Sequence, residues 1–105
     1  MANPFAGEVL VVVDGTRHRA KLTLGALAEL EANLESGSLM DLIGRIEARR
    51  FSARDVLAIL VAGLRGGGWT GTAAELGQAD IAGGPMGAAK AAAQLLARAF
   101  SLPEA

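Results

Sequence analysis

Cysteine is absent from the 105 residues, which removes disulfides, thiolate nucleophiles and cysteine-ligated metal together. One histidine remains, His18, and a metal site built on it would need several carboxylates to converge there. Lysine is nearly as scarce. Lys21 and Lys90 are the only two, and neither closes the Gly-x-x-x-x-Gly-Lys-Ser/Thr pattern of a phosphate loop. The dinucleotide fingerprint also fails, because the glycine cluster follows a helix-like run and not a strand. No sign of charge dominates: ten basic and eleven acidic residues give a formal net charge of -1, with no bulk attraction for nucleic acid or anionic lipid. The longest apolar run, Val56 to Leu64, falls far short of the about 20 residues that cross a bilayer. Met1 to Glu8 lacks a basic n-region, and Val9 to Val13 is too short for a signal h-region. The expectation is a cytoplasmic protein without cofactor, metal, direct nucleic-acid partner or membrane span.

What is present is a core. The chain is 51% hydrophobic and 20% charged, the balance of a packed globule, and 105 residues fit a single domain over residues 1–105. No segment repeats at a fixed period, and no linker divides the chain.

Residues 8–22 read as a β-hairpin. Val9 to Val13 is rich in β-branched residues, Asp14-Gly15 is a favoured two-residue turn, and Thr16 to Leu22 alternates. Such a turn sets Val13 against Thr16, Val11 against His18 and Val9 against Ala20. Leu10 then faces Arg19, and Glu8 faces Lys21, on the opposite, amphipathic side.

Helical spacing follows, predicting helices at about 24–35, 39–48, 53–65, 73–82 and 85–100. Thr23 is a candidate N-cap before Leu24, Leu27, Leu30 and Leu34, with Leu22 and Leu27 placed as a hydrophobic staple. Ser38 with Asp41, Ser52 with Asp55 and Thr72 with Glu75 each have the spacing of a capping box. Leu39, Leu42, Ile43 and Ile46 form one stripe, whereas apolar residues cover most of the third helix, making it the candidate central element. Gly83-Gly84 ends the fourth helix, and Pro85 opens the last, whose seam is expected at Met86, Ala89, Ala93, Leu96 and Phe100. The fold class is α+β: an N-terminal antiparallel β-hairpin followed by a bundle of four to five helices.

Gly63-Leu64-Arg65-Gly66-Gly67-Gly68-Trp69-Thr70-Gly71-Thr72 is the most distinctive stretch, with three consecutive glycines before the only tryptophan. It reads as a helix-ending bend, and a positive φ at Gly67 would account for glycine there. Trp69 is either a core plug or an interface anchor. Glu29, Glu31 and Glu35 read as one solvated helix side, and Arg45, Arg49, Arg50 and Arg54, interleaved with Glu47 and Asp55, as a solvated basic face. With no catalytic constellation, contact is the expected mode of action. The candidate interaction residues are Trp69 with Gly66, Gly67 and Gly68, the hairpin residues Leu10, Val12, Arg17 and Arg19, and Phe100. The hairpin also offers an edge for strand addition.

Leu22-Thr23-Leu24-Gly25-Ala26-Leu27-Ala28-Glu29-Leu30-Glu31, then Phe51-Ser52-Ala53-Arg54-Asp55-Val56-Leu57, then Gly63 to Trp69 in that order resemble the gene transfer agent family of small phage tail proteins of alphaproteobacteria. The similarity runs from about Asn3 to Phe100. The family is described both as a tail tube protein and as a tail assembly chaperone, encoded in a phage-like cluster whose particles carry host DNA. The resemblance therefore implies a non-enzymatic tail assembly factor with no active site to transfer. A largely helical chain of this size is similar to chaperones that hold the tape measure protein, whereas tube subunits line their lumen with extended sheet. Other tail proteins, a tape measure or tube protein, are the implied partners, and further copies of the chain a second kind. A structural role would place the protein in the particle itself.

Overall fold

Asp14 and Gly15, with φ of 49° and 81°, turn the chain through a type I′ bend whose twist matches that of paired strands. The computed structural model describes residues 7–34 and 37–100. Strands β1 (Glu8–Val13) and β2 (Thr16–Lys21) pair antiparallel in the expected register, Val13 with Thr16 through to Glu8 with Lys21. Val9, Val11, Val13 and Ala20 are buried on the inner face, while Leu10, Arg17 and Arg19 are exposed on the outer one.

Five helices follow: α1 (Leu24–Ala32), α2 (Leu39–Glu47), α3 (Ala53–Gly66), α4 (Ala73–Gln78) and α5 (Gly84–Ala99). Thr23 caps α1 through Ala26 N–H, and all three Ser/Thr-led capping boxes form, each acidic residue returning a bond to the cap backbone. α3 is central, packing against α1, β2, α4 and α5. Its Ile59, Leu60 and Leu64 are fully buried in one continuous core with Leu30, Leu42, Leu76 and Leu95.

Four expectations change. α1 ends at Ala32, short of residue 35, because Asn33 leaves the helical region and turns its N–H to Glu29 and Leu30 carbonyls. Glu35 lies outside the described residues. Leu24 sits off the buried side at 83% exposure; Leu22, Ala26 and Leu30 form that side.

The fourth helix stops at Gln78 instead of continuing to residue 82. Ala79 is extended, and Asp80 to Ala82 run antiparallel beside β1 with a bridge from Ile81 to Val13. Asp14 N–H donates to Asp80 O at 2.8 Å, Ala82 N–H to Val12 O at 3.1 Å, and Asp80 N–H to the Asp14 carboxylate at 2.8 Å. Those bonds replace the weak helix that Gly77 would otherwise have to carry.

On α5 the buried side consists of Ala88, Ala91, Ala92, Leu95 and Leu96, rotated from the expected seam: Met86 is 82% exposed and Ala89 and Ala93 are half-buried. Gly63 fixes this rotation. A Cβ there would lie 2.7 Å from Leu95 Cδ1, so α5 docks where α3 has no side chain.

Candidate functional site

The glycine cluster ends α3 in a Schellman motif. Trp69 N–H donates to Leu64 O at 2.9 Å and Gly68 N–H to Arg65 O at 3.0 Å, with Gly68 left-handed at φ 104°. Gly67 itself has φ -91°, so positive φ is not what requires glycine there. Close approach is. A Cβ on Gly67 would fall 1.8 Å from Arg19 O, and one on Gly66 2.0 Å from Lys21 O. The two glycines press the end of α3 onto the outer edge of β2, which no residue with a side chain allows.

Trp69 follows as the apolar residue that this motif places back over the helix. It is half-buried and packs against the core, its ring so close to Gly71 that a Cβ there would sit 2.1 Å from Cζ2. Shallow grooves lie on either side of the ring. One contains His18, Arg19 and Thr70, the other Thr23, Glu29 and Arg65. Trp69 and Arg19 thus share a groove, joining two of the candidate regions. Neither groove includes Phe100, which is 44% exposed just past the end of α5.

The outer hairpin face carries two rows. Leu10 (56% exposed) and half-buried Val12 stand on β1, opposite Arg19 and Arg17 on β2, with Lys21 continuing the cationic row against Glu8. Strand addition meets a partly occupied sheet. Gly66 and Gly67 cover the β2 edge at Lys21 and Arg19, residues 80–82 cover the turn end of β1, and Arg98 Nη1 donates to Glu8 O at 2.6 Å. The rung around Leu10 on β1 and the Arg17 end of β2 lie outside these contacts.

A third cluster lies within the arginine face expected to be solvated. Arg45 reaches ten residues along the chain to grip Asp55 with both prongs, Nε to Oδ2 at 3.1 Å and Nη2 to Oδ1 at 2.9 Å. The same carboxylate accepts Ser52 N–H at 2.9 Å. Asp55 is the one buried charged residue among those described, and its carboxyl is held below its ordinary value, chiefly by the Arg45 hydrogen bonds, against the opposing pull of burial. The arginine face is therefore partly structural. Arg50 and Arg54 line a groove with this pair and with Asn33 and Leu34. Likewise Glu29 pairs with Arg65 at 2.9 Å and Glu31 accepts Leu39 N–H at 3.1 Å, so two of the expected solvated acids tie α1 to its neighbours.

Among the described residues no three His, Asp or Glu side chains converge as metal ligands, and no helix is long and apolar enough to cross a membrane. No curated protein and no solved structure matches the chain. The model of a family described as phage tail tube protein, GTA-gp10, matches residues 6–102.

Proposed function

Because the chain belongs to the GTA-gp10 phage tail tube protein family, whose role is in phage-like tails, we propose that it acts as a tail assembly chaperone. It would hold a tail component such as the tape measure protein before the tube polymerises. The observation that carries this reading is the small, partly occupied sheet. Two strands with one bridging residue and partly occupied edges offer little to the continuous sheet of a tube wall, which supports contact through faces and grooves. The surface candidates are those of a binding protein: a half-buried tryptophan between grooves and an exposed apolar-basic face.

Capture of the full-length chain from cells assembling tails is expected to retrieve tape measure protein in a soluble complex. Retrieval of assembled tube alone would contradict it. The family's own description favours a second reading, a tube component of the particle. That reading requires the purified chain to polymerise into rings or tubes, where the chaperone remains a small soluble species at high concentration.

A further inference from the structure

We propose that the outer face of the hairpin is a docking surface for an acidic amphipathic helix of a tail component, a partner class that rests on the assembly-factor reading. A β-sheet buries its faces against other layers and its edges against other strands. Here the inner face is covered by α3 and α5, and parts of both edges are occupied by Gly66, Gly67, residues 80–82 and Arg98. On the outer face Leu10 is 56% exposed, and Arg17 and Arg19 are exposed beside it.

The chemistry of that face commits it to one kind of occupant. Along β1, Leu10 and Val12 are two residues apart, about 6.8 Å on a strand, which is close to the about 6 Å between apolar residues four apart on a helix. Across the ladder stand Arg17, Arg19 and Lys21, with Glu8 opposite Lys21, although the whole chain has a net charge of -1. A helix lying along the strands would seat one apolar stripe over Leu10 and Val12 and set a flank of carboxylates on the cationic row. A basic helix would meet like charge, and an incoming strand would meet edges already partly occupied.

The test uses the full chain, with backbone NMR signals followed during titration by a synthetic helical peptide of about five turns bearing a leucine stripe flanked by glutamates. A second peptide carries lysines in place of the glutamates. The glutamate peptide is expected to shift Leu10, Val12 and Arg17, to weaken about tenfold or more with Arg17→Glu, and to be largely retained with Arg17→Lys. Leu10→Ser gives an independent loss of binding, and both sites are exposed enough that the variants keep the wild-type melting temperature. Equal binding of the two peptides, or shifts centred on the Trp69 grooves or on Arg50, would overturn the proposal. So would concentration-dependent self-association that Arg17→Glu abolishes, which would assign the face to a second copy. Equal capture of tail components by wild type and Arg17→Glu would refute the face and leave the chaperone reading intact. Capture of none would refute that reading while the titration still judges the face.

Discussion

Replacing Gly67 by alanine puts a methyl carbon 1.8 Å from a backbone oxygen of β2, so the end of α3 and the strand must shift apart. We expect Gly67→Ala and Gly66→Ala each to cost about 3 kcal/mol or more, the upper range for overpacking. Gly68→Ala faces open space and has only its φ of 104° against it, so its cost should stay near about 1 to 2 kcal/mol. Urea unfolding of the three variants checks the order, and equal losses would show that torsion governs the whole cluster. Trp69→Ala should lose about 2 kcal/mol, less than the about 3 to 5 of a fully buried ring, because the side chain is half-buried against the core. A loss within error of zero would mean that the ring does not brace the joint. The bend itself was legible from three glycines after an apolar run. The reason for Gly66 and Gly67 was not, because it resides in carbonyls of Arg19 and Lys21 more than forty residues earlier.

Between elements, a second Schellman turn closes α2, with Arg49 at φ 57° where glycine is favoured and Arg50 N–H donating to Arg45 O at 2.8 Å. Arg49→Gly should raise stability by about 1 kcal/mol by relieving that left-handed residue; a lower melting temperature would contradict this. The Arg45–Asp55 pair then ties α2 to the start of α3. A carboxyl whose pKa is lowered by folding stabilises the fold fully above its unfolded value of about 3.9, and that contribution disappears as pH falls through the lower folded value. Asp55→Asn should therefore cost about 2 kcal/mol at neutral pH, and the gap to wild type should start to narrow only near about pH 4 and close as pH falls through the lower folded value. A gap independent of pH would show that packing, not charge, is what the variant removes. Elements were legible where local chemistry decides them: Asp14-Gly15 with alternating residues fixed the register, and the capping boxes fixed helix starts. They were not where distant partners decide. Asp80 leaves the fourth helix for Asp14, sixty-six positions away, and the alanine run of α5 carries too little contrast to show which side meets Gly63.

Taken whole, the molecule has a small sheet partly covered at both edges and held on a central helix, with its apolar-basic face and its tryptophan grooves turned outward. This arrangement suits transient binding better than incorporation into a wall of repeating strands. The candidate residues could be picked from the chain by type, since Leu10, Arg17 and Arg19 share a strand face by simple alternation. That Arg19 and Trp69 share a groove could not, because α3 must first fold back across β2. The central claim is that the chain assists tail assembly without remaining in the tail. Absolute quantification by mass spectrometry of purified particles, set beside the cells that produced them, tests it most directly. The chain should be abundant in the cells and far below the copy number of tail structural proteins in the particles. Stoichiometric copies in mature tails would contradict the account.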